Sequence, residues 1–314
     1  MLHGFSMSGQ AVIYIYKLFN RLTMKLPDLD NVKEKFPDLR DIEIITQGGQ
    51  KVVYKGIHKK CGVVALKIIL DPSADERTKR EIEALTKYNF PNVPKLYEWG
   101  PFLWEDMQTT YLLEQYISGS TLRNFLNDHK KLSLDTCLKL LKSLLETSVE
   151  LEKQQIVHRD IKPENIIMGN DGSFWLLDFG IARHLSRMSI TATNVHFGPH
   201  TAGYAAPEQF RNMKKEIDIR ADLFSIGVLI YESLTGKHPF VFGARDHLDI
   251  LRRTETLTPD YLSIPGDSQR QLSGFINILM DKYPSRRPRT AKTALDWYTA
   301  LLPSIKIKDS QEKI

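Results

Sequence analysis

The sequence has few cysteines, no long apolar run and little excess charge, and each shortage excludes something. Its two cysteines, Cys61 and Cys137, stand far apart with no metal-ligand spacing. A disulfide framework is therefore not implied, and a reducing, cytoplasmic compartment is expected. The longest apolar stretches fall well short of the ~18 residues that a membrane-spanning helix needs. Ala11 to Tyr16 is apolar, but Lys17 ends it and no convincing small-residue cleavage site follows, so it is not read as a signal peptide. Lysine and arginine number 43 against 38 acids, and the net charge of +5 is spread among them. That balance gives no reason to expect a nucleic-acid partner. Internal repeats and low-complexity tracts are also missing, which sets aside solenoids and stalks. What is there is ordinary: 42% hydrophobic and 26% charged residues over 314 positions. Such a chain buries a substantial core as two domains, or as one domain with two lobes, and is not wholly disordered.

Along the chain the pattern changes twice. Residues 1–40, with Pro27 and Pro37, look like an N-terminal extension. From Asp41 the β-branched runs Ile42-Glu43-Ile44-Ile45, Val52-Val53-Tyr54 and Val63 to Ile69 predict strands, punctuated by Gly48-Gly49 and Gly56. A helix is expected after Pro72, where Ser73 and Glu76 have capping-box spacing and Ile82 and Leu85 continue one apolar face. From about Ser118 the chain becomes mostly helical. Leu134, Leu138, Leu141, Leu145 and Val149 form an amphipathic stripe. Leu223 to Leu234 is apolar nearly all round and stops at Gly236, so it should lie buried in the middle of a lobe. The expected architecture is α+β, with a small β-rich lobe followed by a larger α-rich lobe.

The chemistry concentrates in His158-Arg159-Asp160-Ile161-Lys162-Pro163-Glu164-Asn165 and, further on, Asp178-Phe179-Gly180. Asp178 and Asn165 offer hard oxygen ligands, which suit Mg²⁺. Asp160 is a carboxylate able to orient a hydroxyl and accept its proton. Lys67 stands in the otherwise apolar strand Val64-Ala65-Leu66-Lys67, where an ammonium must be paired or solvated. Ala206-Pro207-Glu208 follows later in the chain. These motifs, in this order and spacing, resemble the eukaryotic-like (Hanks-type) serine/threonine protein kinase family from about Asp41 to Leu302.

The resemblance implies a two-lobed protein-kinase-like fold, with the N-lobe at about 41–116, the C-lobe at about 117–302 and a tail at 303–314. It implies ATP and Mg²⁺ as cofactors and proteins bearing Ser or Thr hydroxyls as substrates. Asp160 would be the catalytic carboxylate, and Lys162 would contact the transferring phosphate. Asn165 and Asp178 would hold the metal. Lys67 would touch the α/β-phosphates and pair with a helix glutamate. Glu81 is the candidate for that partner and Glu83 its rival, since residues two apart face different ways. Backbone groups of Gln115 and Ile117 would bond adenine, with Val53, Ala65 and Ile167 sandwiching the ring. Thr201 would bond the catalytic loop, Asp222 would cap its backbone, and Glu208 would pair with Arg287. Autophosphorylation of the segment between Asp178 and Glu208, which holds Ser186, Ser189, Thr191 and Thr193, makes a homodimer a further expected partner.

The phosphate loop and the gatekeeper position depart from the family pattern. In the phosphate loop only Gly48, with Gly49 beside it, is retained, while Thr46 and Lys51 stand where glycines are usual. Lys51 is expected to face solvent rather than phosphate. Glu114 falls at the gatekeeper position, where a buried carboxylate needs a partner unless the register is off by one. A small-molecule kinase and a pseudokinase scaffold are the alternatives. Lys162, Thr201 and Ala206-Pro207-Glu208 speak against the first, and the intact Lys67, Asp160, Asn165 and Asp178 against the second.

Overall fold

The computed structural model describes residues 27, 29–47, 51–69, 82–83, 85–104, 107–178, 203–211 and 217–306. The N-terminal half is a five-stranded antiparallel sheet of order β1-β2-β3-β5-β4. Its strands are β1 (Leu39–Gln47), β2 (Lys51–His58), β3 (Gly62–Ile69), β4 (Leu96–Trp104) and β5 (Met107–Gln115). Period-2 alternation sorts the side chains onto two faces. Val52 and Tyr54 of β2, Val64, Leu66 and Ile68 of β3, and Leu113 of β5 pack into one cluster. The short helix α1 (Leu29–Lys35) covers that cluster with the fully buried Val32, and the Tyr54 hydroxyl donates to the Pro27 carbonyl. Residues 29–40 thus pack on the sheet, and a domain boundary at 41 would cut through β1. The capping-box helix expected after Pro72 lies outside the described residues as far as 81. Ile82 and Leu85 are buried in the larger core.

The other sheet face carries Lys51 and Val53, then Ala65 and Lys67, then Leu112 and Glu114, as the regular pairings Val53↔Lys67, Lys67↔Leu112 and Ala65↔Glu114 require. Ile69 and Leu112 on this face join the larger core. This face therefore looks toward the helical half.

That half begins at a three-stranded sheet, β6 (Gly119–Thr121), β7 (Ile166–Gly169) and β8 (Phe174–Leu176), with helix α2 (Leu122–His129) between β6 and the long α3 (Leu134–Lys153). Ser133 caps α3, accepting from the Thr136 N–H at 3.1 Å. The buried stripe of α3 centres on Leu138, Leu141 and Leu145 and extends to Leu140, Leu144 and Leu151. A single turn, α4 (Pro207–Phe210), precedes α5 (Ile219–Thr235), the central buried helix. It starts four residues earlier than its apolar run, because Asp218 caps it by accepting from the Arg220 N–H at 2.9 Å. It ends at Gly236 in the left-handed region, φ 70°. Gly227 lets α7 (Gln271–Leu279) come close: a Cβ there would sit 2.8 Å from Met280 Cγ and 2.9 Å from Leu279 Cβ. Helices α6 (His247–Thr256) and α8 (Ala291–Leu301) complete the lobe.

Candidate active site

The loop between α3 and β7 is held from beneath by α5. Asp222, in the first turn of that helix, accepts from the backbone N–H groups of His158 and Arg159, each at 2.7 Å. Burial is the largest influence on the Asp222 carboxyl and pushes it up to about 8, against the His158 bond. Arg159 takes a left-handed backbone, φ 67°, and its carbonyl accepts from Gln209 Nε2 at 3.0 Å. The Gln209 Oε1 in turn accepts from the Ala206 N–H at 2.9 Å. Gln209 therefore ties the start of α4 to the loop between α3 and β7, a contact not expected from the sequence. The signal was present as a proline at the first helical position with glutamine two residues on.

The His158 ring is buried. Its Nε2 lies 2.9 Å from the Leu177 carbonyl, and its Nδ1 lies 3.3 Å from the Asp160 N–H. These partners assign the proton to Nε2. Desolvation is the main cause that pushes its pKa down to about 4. Asp160 is half-buried and meets two groups of its own loop. Lys162 Nζ lies 2.9 Å from its Oδ2, and Asn165 Nδ2 donates to its carbonyl at 2.8 Å and to Oδ2 at 3.0 Å. With its N–H groups spent on Asp160, Asn165 has its amide oxygen as the remaining donor atom. The Leu177 N–H donates to the Asn165 carbonyl at 2.7 Å, which sets the strand leading to Asp178 beside the loop.

Asp178 has φ 54° and lies between two ammonium groups. Lys67 Nζ is 2.7 Å from its Oδ1, and Lys51 pairs with Oδ2. Burial raises the Asp178 carboxyl, but Lys51 and Lys67 outweigh it and hold it far below the usual carboxylate range. The expectation that Lys51 faces solvent is corrected. Lys51 shares the sheet face of Lys67, and the deep negative charge of Asp178 lies within reach of both. Gly48 and Gly49 lie outside the described residues.

Lys67 is buried, and its second partner is Glu114. Burial acts most strongly and lowers the lysine, yet Asp178 and Glu114 together hold it above the usual range. Glu114 thus has a partner, and the β3–β5 pairing sets it opposite Ala65. Glu81, the expected partner of Lys67, lies outside the described residues, and Glu83 is exposed. Val53 and Ala65 are buried on the face that carries Lys67, whereas Ile167 is half-buried on β7 of the second sheet. The Gln115 N–H donates to the Lys95 carbonyl at 2.8 Å, so any base contact by Gln115 falls to its carbonyl. Ile117 is half-buried in the connection that leaves β5.

Two further contacts brace the helical side. Arg287 donates to Glu208 at 2.7 and 3.0 Å, both side chains being buried. Arg123 bonds Glu164 of the loop between α3 and β7 at 2.8 Å, Glu232 at 2.9 Å and the Tyr204 hydroxyl at 2.6 Å, and that hydroxyl donates to Glu232. No spacing rule joins these four residues, and the sequence reading did not single out this network. Phe179, Gly180 and the segment residues Ser186, Ser189, Thr191, Thr193 and Thr201 lie outside the described residues.

A sequence profile described as the protein kinase domain matches residues 39–298. The probable serine/threonine-protein kinase PknB of Bifidobacterium longum is 32% identical over 235 residues, 71% of this chain and 34% of its own length. The serine/threonine-protein kinase PknL of Mycobacterium tuberculosis is 35% identical over 202 residues, 62% of this chain and 49% of its own. The chain therefore spans between about a third and a half of these relatives. Among solved structures, Rad53 1-466 in complex with AMP-PNP superposes with a TM-score of 0.65 at 26% identity, covering 84% of this chain and 66% of that one.

Proposed function

Because the chain belongs to the protein kinase domain family, we propose that it transfers the γ-phosphate of ATP to serine and threonine hydroxyls of proteins. The observation that carries the reading is the meeting of Asp160, Lys162 and Asn165 within one loop, with Lys162 Nζ 2.9 Å from the Asp160 carboxylate. Asp160 orients the attacking hydroxyl and takes its proton as the oxygen bonds the γ-phosphorus and the bond to the ADP oxygen breaks. Lys162 lies close enough to Asp160 to serve both that carboxylate and the phosphoryl group in flight. Lys67, and Lys51 beside it, supply positive charge for the α- and β-phosphates. Val53, Ala65 and Ile167 enclose the adenine, with the Gln115 carbonyl and the Ile117 backbone at its edge.

The residues present fit Mg²⁺. Asp178 already draws two cations, and Asn165 keeps an amide oxygen, so the donor set is hard oxygen. Bound there, the metal would neutralise developing phosphate charge. The same reading assigns the chain to the cytoplasm, supported by two free thiols, and makes a second copy a transient partner during autophosphorylation.

Incubation with γ-labelled ATP and Mg²⁺ tests the reading. Label on protein serine or threonine is expected. Label on metabolites would instead favour a small-molecule kinase, and nucleotide binding without any transfer would favour a pseudokinase scaffold.

A further inference from the structure

Lys67 and Glu114 are not directly opposite in the sheet. Lys67 pairs with Leu112, and Glu114 pairs with Ala65, two residues along. Such diagonal neighbours share a face with Cβ atoms about 7–8 Å apart, within reach of a long lysine and a glutamate. The strand register therefore puts the pair within reach, and the two side chains meet. Both strands lie in the interior of the sheet, β3 between β2 and β5, and β5 between β3 and β4. Both side chains are largely buried, Lys67 at 6% and Glu114 at 13% exposure. A buried ammonium with a carboxylate fixed on one side is limited in where its Nζ can point. Among the described residues its other partner is Asp178, 2.7 Å away and contributed by the other half of the molecule. Charges alternate along Glu114, Lys67, Asp178 and Lys51.

We propose that Glu114 is the positioning residue for Lys67, orienting its ammonium toward the phosphate site from within the sheet. This deepens the kinase reading and rests on it. The anchor belongs to the same rigid sheet as the lysine. The sheet thus supplies one fixed partner of Lys67, and Asp178 of the other half supplies the second.

The test compares Glu114→Gln, Lys67→Met and their double variant in the full chain. Three readouts apply: AMP-PNP affinity, the kcat and KM for ATP, and the ¹⁵N resonance of the Lys67 ammonium. For the glutamine variant, kcat/KM for ATP is expected to fall about 10-fold or more, while the double variant is no worse than Lys67→Met alone, as coupling through one ion pair requires. The ¹⁵N resonance of the Lys67 ammonium should shift in Glu114→Gln without nucleotide present. Glu114→Met, apolar and of similar length, carries the test should the glutamine variant not fold. A glutamine variant with wild-type kinetics and an unmoved resonance overturns the proposal and leaves the kinase reading intact. So does a full loss in Glu81→Gln that Glu114→Gln does not share. A wild type that neither binds nucleotide nor transfers phosphate overturns both.

Discussion

Asp178 is where the charges of the two halves of the molecule meet, and its partners decide what its removal does. In Asp178→Asn the Lys67 ammonium keeps Glu114, and Lys51, 30% exposed, can turn to water. The loss of stability should therefore stay near about 1 kcal/mol, as for a partly solvated pair. Turnover should fall by about 10²–10³, the usual effect of removing one preorganised electrostatic group. Thermal unfolding with and without Mg-ATP, beside a transfer assay, checks both, and wild-type turnover would remove Asp178 from the mechanism. His158 gives a pH prediction. Its folded pKa is pushed down to about 4 from an ordinary 6.5. Between those values the unfolded chain binds more protons, so this stability is complete above about pH 6.5 and is lost as pH falls toward about 4. The size is on the order of 3 kcal/mol, from about 1.4 per pKa unit. Denaturant unfolding at about pH 7 and about pH 4.5 should show a smaller acid loss in His158→Gln than in the wild type. An equal loss in both would place the acid sensitivity elsewhere.

Between elements, buried polar contacts fix how α4, α5 and the loop between α3 and β7 sit together. Removing one member of a buried pair strands the other charge and costs about 3–5 kcal/mol. Arg287→Ala should therefore lower the thermal midpoint by roughly 6–20 °C, at about 2–4 °C per kcal/mol for a domain of this size. Arg289→Ala, at an exposed position, should change it little, and equal small shifts would show that the Glu208 pair contributes nothing. Elements of this kind were largely legible in the sequence. The β-branched runs gave β2 and β3, and the run from Leu223 to Leu234 gave α5. Asp222, Glu208 and Arg287 were found through their motif positions. Less legible were contacts set by the meeting of distant elements. Arg123, Glu164, Tyr204 and Glu232 come from four parts of the chain, with no periodicity to join them. Lys51 read as a surface lysine because nothing local shows Asp178 approaching its sheet face. Glu114 was flagged as needing a partner, but only the strand register identifies Lys67. Packing of α1 was hidden in a stretch of mixed charge, where Val32 is the one side chain fully buried.

At the scale of the whole molecule, Lys51 and Lys67 of the sheet reach Asp178 of the helical half, so the proposed activity depends on how that junction and its neighbouring loop are set. Arg159 stands beside Asp160, and its backbone is pinned on both sides. Asp222 accepts from its N–H at 2.7 Å, and its carbonyl accepts from Gln209 at 3.0 Å. A phosphate drawn to the Arg159 side chain would thus act on a fixed point one residue from Asp160, the proposed catalytic carboxylate. Phosphorylation adds about 1.5–2 negative charges and three acceptor oxygens, enough to order a loop against an arginine. We expect autophosphorylation between residues 181 and 205, at Thr191 or Thr193. Both are mid-segment by sequence, with Ser186 nearer Asp178-Phe179-Gly180 and Arg183 a second cation in the same segment. Mass spectrometry after incubation with Mg-ATP should find phosphate there. The Thr191→Ala/Thr193→Ala double variant should lose most of the transfer activity that preincubation gives the wild type. Phosphate found only outside 181–205, or a double variant that is activated like the wild type, would show that this segment does not set the activity of the molecule.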